Sequence, residues 1–450
     1  MPRNSRLYRK TTQHLFAIVA VLFVATALQD TVRADDWPQW RGPTRDGVWH
    51  ETGVLGRFPA KQIKLRWQVE ISSGYSGPTV AAGRVYVTDR LVDEEGDKAK
   101  QIERVHCFDW RTGKRLWRHT YDCPYVDVSY QAGPRAAVLI DSSRAYSLGT
   151  MGHLFCFNAA TGEVLWKRDL RADYKIRMPI WGIAASPLMY EDLLIVQIGG
   201  AGGACLVAFD KVSGKERWRA LNDRASYAAP LIVKQAGQDV LVCWTGDSVV
   251  GLAPKTGKTH WSYPFKPRKM VLAVSTPVVH DSWLFITGFY DGSLMLRLGQ
   301  EKLTAEKVWR ISGRDERNTK ALHSIISTPH LAGDYVYGVD SYGELRCLES
   351  RTGKRIWEDL TATPKSRWGT IHTVRNGNRV FMFNDRGELI IARLSPRGFD
   401  EISRAQLISP TRVQLSRRDG VCWSHPAYAY KHVFARNDKM LVCADLSADE

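Results

Sequence analysis

A tryptophan recurs every 43 to 52 residues through this chain, each time behind the same short pattern. Cys107, Phe108, Asp109, Thr112, Gly113, Lys114 and Trp117 reappear as Cys156, Phe157, Asn158, Thr161, Gly162, Glu163 and Trp166. They return as Ala208, Phe209, Asp210, Ser213, Gly214, Lys215 and Trp218, then as Thr256, Gly257, Lys258 and Trp261. Gly299, Glu301, Thr304 and Trp309 keep the spacing after the turn has changed. Cys347, Glu349, Thr352, Gly353, Lys354 and Trp357 restore it, and a seventh copy at Ala392, Gly398 and Ile402 lacks the tryptophan. A period in this range belongs to propeller blades rather than helical repeats.

The motif reads as a third strand, a tight turn and a fourth strand. Small and apolar residues alternate as on a half-buried strand. The Asp or Asn three residues before Thr-Gly can bond the turn backbone. Gly supplies positive φ, and Trp offers a flat ring to the neighbouring blade. Two further strands precede each motif, beginning near Pro78, Pro187, Pro230, Pro277, Pro329 and Pro426. Seven blades end by residue 409. An eighth starts at Trp423 and runs out at Asp445, one strand short, while residues 63–69 around Trp67 form a fourth strand lacking its first three. Joining the two closes a ring and removes an exposed sheet edge. The spacing predicts an all-β, eight-bladed propeller of four-stranded antiparallel blades over 63–450, with an extended segment at 35–62.

Residues 1–34 read as a signal peptide: Arg3, Arg6, Arg9 and Lys10, an apolar run from Leu15 to Leu28, and Val32-Arg33-Ala34 before cleavage at Asp35. That run is shorter than the roughly 20 residues a helix needs to span a bilayer. A periplasmic or secreted protein with no membrane span follows. Without the leader the formal charge of +16 falls to +12. Such a balance favours anionic partners, and export argues against nucleic acid. Four of the eight cysteines (Cys107, Cys156, Cys347, Cys443) fall at one repeat-equivalent position, too far apart to bridge and suited to burial. Cys123, Cys205, Cys243 and Cys422 are left to pair or not.

The pattern of small residue, Asp, Thr-Gly-Lys and Trp resembles the tryptophan-docking motif of the quinoprotein alcohol dehydrogenases. Asp36, Trp37, Trp40, Arg41, Gly42, Asp46 and Gly47 resemble the opening of exported bacterial propellers of that repeat type. The repeat is also similar to that of the propeller lipoprotein of the outer-membrane barrel-assembly machinery, a non-enzymatic scaffold. For the dehydrogenases the resemblance implies pyrroloquinoline quinone (PQQ) with calcium. They carry adjacent cysteines over the quinone, however, and this sequence has no adjacent cysteine pair. A scaffold without a cofactor is the expectation, and a PQQ-dependent enzyme the alternative.

The loops from each fourth strand to the next first strand share one predicted face and carry +9 of the +12. Their candidates for a binding surface are Trp181, Arg224, Tyr227, Arg268, His323, Arg367, Trp368, Arg418, Trp423 and His425. They suggest a basic, aromatic-lined funnel for an anionic ligand or a protein partner, with recognition of an acidic polysaccharide as a further reading. No metal-ligand spacing, nucleotide loop or nucleophile–base pair is visible, so no catalytic residue is assigned. Asp291-Gly292, Asp340–Gly343 and Asp385–Gly387 read as hairpin turns. The acidic insertion from Asp93 to Glu103 lengthens a hairpin of blade one on the loop face.

Overall fold

The computed structural model describes residues 35–93 and 100–448; residues 1–34, expected from the sequence to be a signal peptide, the tip of the blade-one insertion and residues 449–450 lie outside them. Thirty-two strands form eight separate four-stranded sheets, each wholly antiparallel. Blade one consists of Thr79–Ala81, Arg84–Asp93, Lys100–Asp109 and Arg115–Asp122. Blades two to seven occupy residues 139–169, 188–220, 231–264, 278–311, 330–359 and 371–406. Blade eight takes three strands from 427–445 and its outermost, Leu65–Glu70, from the other end of the chain. Trp67 faces Cys443 in that closing pair. The one α-helix among the described residues is a single turn, Leu170–Tyr174, capped by Asp169.

The docking tryptophans hold neighbouring blades together by one recurring bond. The indole Nε1 of Trp67 donates to Trp110 O at 2.7 Å, Trp117 to Ala159 O at 3.0 Å, and Trp166 to Lys211 O at 3.2 Å. Trp218 reaches Pro254 O, Trp309 reaches Ser350 O, and Trp357 reaches Ser395 O. Each acceptor belongs to the next blade's turn between third and fourth strands. Asp109 organises that turn as its sequence suggests, accepting from Arg111 N, Thr112 N and Thr112 Oγ1. Trp261 departs from the pattern: its indole donates to Gln235 Oε1 within its own blade. The physical reason lies in blade five, whose rebuilt turn around Gly299 no longer offers the usual seat.

Blade seven, which has no docking tryptophan, is tied differently. Gln62 pairs with Gln406 of its outer strand, Ile63 N donates to Gln406 O, and Phe58 N donates to Ser403 Oγ. The extended segment thus takes over the missing ring's task. All eight cysteines are buried and unbridged.

The extended segment also crosses the ring's axis. Trp37 bridges Val80 of blade one, and Pro38 O accepts from Ile140 N of blade two. Trp40 Nε1 donates to Thr276 Oγ1 at the foot of blade five. The buried Arg45 guanidinium donates to Ser186 O, Pro187 O and Pro230 O. Val48 and Trp49 then join Arg375 of blade seven. A through-channel is therefore converted into a blind one.

Candidate functional site

On the loop side of this plug lies a chamber of about 130 Å³. Trp40 forms part of its wall, with Tyr75, Tyr130, Trp181, Tyr227, Trp368 and Trp423 from the loops preceding the inner strands. Ala184, Ala229, Val274, Ile325 and Ile326 complete the apolar surface. Arg135, Ser186, His372 and His425 supply the polar atoms. The aromatics form a continuous chain: Trp181 to Tyr227 at 5.2 Å, Trp181 to Tyr130 at 5.8 Å, Tyr130 to Trp368 at 5.7 Å, and Trp368 to Trp423 at 6.2 Å between ring centroids. Such spacings are those of edge-to-face and tilted packing.

Tyr130 and Trp368 both occupy the left-handed region, with φ of +56 and +66. That conformation costs a residue with a side chain on the order of 1–3 kcal/mol and gathers at ligand sites. Arg417 reaches Tyr130 Oη at 3.3 Å and lies over the Trp368 ring, while Arg367 lies over Trp368 and Phe289. Arg135 stacks on Tyr75 and donates to Gly133 O, Ser129 O and Tyr130 O. Guanidinium groups thus surround an apolar interior.

The two histidines are uncharged. Burial lowers His372 to about 4, and burial with the neighbouring His372 lowers His425 to about 3. Hydrogen bonding fixes their tautomers. His372 Nε2 lies 2.8 Å from Trp423 O, so it carries the proton and leaves Nδ1 a bare lone pair. His425 Nε2 accepts from Gly77 N, so its proton is on Nδ1.

Of the ten residues singled out in the sequence, Trp181, Tyr227, Trp368, Trp423 and His425 line the chamber. The other five lie outside the lining. Arg224 pairs with Asp247, Arg367 with Glu316 and Arg418 with Asp385. Arg268 donates to Gly313 O. His323 is fully buried, accepting from Gly313 N and bonded to Phe289 O. Several loop cations are therefore spoken for, whereas Lys175, Arg177, Lys266 and Lys320 are exposed and form no ion pair among the described residues. Lys269 is exposed and sits over Tyr290.

Sequence reasoning passed over Trp40, Tyr130, Arg135 and His372's open nitrogen. Trp40 stands outside the repeat. Tyr130 and Arg135 stand on the one loop whose charge sums negative, so counting charge drew attention away from it. The signal available was aromatic: Tyr125 and Tyr130 beside Arg135 in a short connection.

Residues 101–359 match a family model described as outer membrane protein assembly factor BamB. This chain belongs to that family. The BamB of Burkholderia pseudomallei is 21% identical over 217 residues, covering 47% of this chain and 52% of that protein. The quinohemoprotein alcohol dehydrogenase ADH-IIG of Pseudomonas putida is 24% identical over 350 residues, covering 74% of this chain and 42% of the enzyme. The chain thus spans about half the length of the curated relatives it matches. Among solved structures, BamB from Moraxella catarrhalis superposes with a TM-score of 0.55 at 16% identity, over 85% of this chain and 99% of that one. At that identity the likeness shows the shared propeller fold.

Both branches of the likeness bear on cofactors. The chamber lining includes no carboxylate, and no group of three His, Cys, Asp or Glu among the described residues is arranged to hold a metal. Its lining cation, Arg135, is already committed to three carbonyls. A site so lined does not fit a polycarboxylate quinone with its calcium ion. No helix among the described residues is long and apolar enough to cross a membrane.

Proposed function

We propose that this chain is an exported, non-catalytic binding propeller that presents its loop face to a protein partner or another anionic ligand. The observation carrying this reading is a blind chamber walled by seven aromatic side chains, on a loop face that also carries the cations Lys175, Arg177, Lys266 and Lys320, unpaired among the described residues. Binding surfaces are marked by buried aromatic anchors within a charged, solvated rim. The plug supports the reading too, since it lets a ligand enter from one face only. Membership of the BamB family supports a scaffold's role, and residues 1–34 support export to the periplasm or beyond. The lining argues against the dehydrogenase alternative, because it offers neither metal-ligating carboxylates nor a paired nucleophile and base.

The test is a comparison of two faces at equal net charge. Reversing Lys175, Lys266, Lys269 and Lys320 to Glu should weaken retention on a polyglutamate matrix and flatten its salt dependence. Reversing Lys114, Lys215, Lys258 and Lys354, the turn lysines of the opposite face, should do markedly less. Equal losses from the two sets would refute a directional loop face.

A further inference from the structure

We infer that the axial chamber is a binding site for a single aromatic ring carrying a hydroxyl: a phenol. This inference goes beyond the reading above and stands whether or not a protein docks on the rim. It rests on the shape of the chamber and on one nitrogen.

Size comes first. A volume of about 130 Å³ is close to that of the engineered ~150 Å³ apolar cavity that accepts benzene. One six-membered ring fits. Chemistry of the walls comes second. Seven aromatic side chains and five aliphatic ones face the guest, so its flat surfaces meet ring faces and edges throughout.

The polar atoms then choose the substituent. Ser186 Oγ already accepts from Ala137 N. Tyr75 Oη donates to Gln414 O, and Tyr227 Oη accepts from Trp181 N. Arg135 is held by carbonyls. His372 is different. Its residue is 7% exposed, its Nε2 proton is fixed on Trp423 O, and its Nδ1 lone pair has no partner among the described residues. A neutral imidazole in that tautomer can only accept there. The matching guest is a ring with one O–H donor. A pyranose would bring several hydroxyls to walls made mostly of aromatic and aliphatic side chains, and each unpaired hydroxyl would weaken binding. Sugar recognition therefore does not belong in this chamber, although it could use the rim.

The same chemistry is carried by a free phenol and by a tyrosine side chain, and calorimetric titration of the whole protein separates them. The probes are p-cresol, toluene and the tripeptide Ala-Tyr-Ala. The wild-type protein should bind p-cresol about tenfold more tightly than toluene. His372→Phe keeps a ring at the position and removes the acceptor, so it should bring the two probes to within about twofold. Ala184→Leu, on a half-buried wall position, should fill the chamber and abolish binding of both. Tripeptide binding as tight as p-cresol assigns the site to a protein's tyrosine; p-cresol binding alone assigns it to a free phenol. Should toluene match p-cresol in the wild type, or should the preference survive His372→Phe, the hydroxyl assignment is wrong. Absence of p-cresol binding overturns the site altogether, leaving the loop-face comparison unaffected.

Discussion

The indole of Trp117 lies so close on Gly162 of the next blade that a Cβ built there would stand 2.6 Å from its Cδ2. The same contact recurs between Trp166 and Gly214 at 2.7 Å, and between Trp218 and Gly257 at 2.6 Å. The turn glycine thus answers two demands: a backbone with φ near +70, and a bare surface for the neighbouring ring.

These two demands can be separated by substitution. Gly237 has φ +74 and nothing within 4 Å of its would-be Cβ. Gly237→Ala should therefore cost only the left-handed strain, roughly 1–2 kcal/mol. Gly162→Ala should cost that plus displacement of Trp117, on the order of a further 1–3 kcal/mol. Urea unfolding of the two variants reads the difference directly. Equal losses would mean that blade docking does not depend on the bare turn.

Arg418 and Lys269 neighbour the same face yet should behave in opposite ways. Arg418 Nη2 lies 2.7 Å from Asp385 Oδ2, whose carboxylate is fully buried and also accepts from Thr363 Oγ1. Arg418→Glu places a second carboxylate beside it and should lose about 3–5 kcal/mol. Lys269→Glu, on an exposed side chain, should fall within about 0.5 kcal/mol of wild type. Denaturant midpoints measured side by side decide this, and similar midpoints would show that the buried pair is dispensable.

Acid should destabilise the ring before its carboxylates titrate. Burial holds His330 at about 3, His372 at about 4 and His425 at about 3. In the unfolded chain each takes up a proton near pH 6.5. Stability from keeping them neutral is fully present above pH 6.5 and is lost as the pH falls from there toward 4. The slope is at most about 1.4 kcal/mol per pH unit for each group. His330 stacks on Tyr337, and His330→Phe should flatten the fall between pH 6.5 and 5 by about one proton. An unchanged slope in that variant would remove His330 from the account.

Deleting residues 35–71 should abolish cooperative melting rather than trim a tail. The deletion strips Leu65–Glu70 from Met440–Asp445 and takes the buried Trp37, Trp49 and Phe58 with it. The result is an open sheet edge beside uncovered apolar surface. Size-exclusion chromatography should find aggregates. A sharp-melting monomer would show that seven complete blades hold a ring unaided.

The repeat made the propeller legible because each element of the motif has a local cause: an Asp bonding its turn, a glycine at positive φ, a ring seeking a neighbour. Closure followed from counting strands at Trp67 and Asp445. The chamber was half legible. Trp181, Tyr227, Trp368 and Trp423 share a repeat-equivalent place before an inner strand, so periodicity brought them together. Trp40, Tyr130 and the lone pair of His372 escaped. Trp40 reaches the axis through a segment with no repeat to align it. The tautomer of His372 depends on Trp423 O, a contact 51 residues away. Charge counting brought forward Arg224 and Arg418 as binding candidates but could not show their ion pairs, since their partners Asp247 and Asp385 come from turns distant in sequence.

The strand Leu65–Glu70 leaves the ribosome, and passes any export pore, long before its partner Met440–Asp445. Seven blades can form in turn as they arrive, because their contacts are local. Ring closure and the seating of Trp40 across the axis must wait for the last strands. Loop closure over nearly the whole polypeptide is slow, and during that interval the chain carries an unpaired strand and an uncovered channel. The protein therefore spends its most vulnerable interval before Met440–Asp445 has paired, when a chaperone that shields Leu65–Glu70 would have most influence on yield.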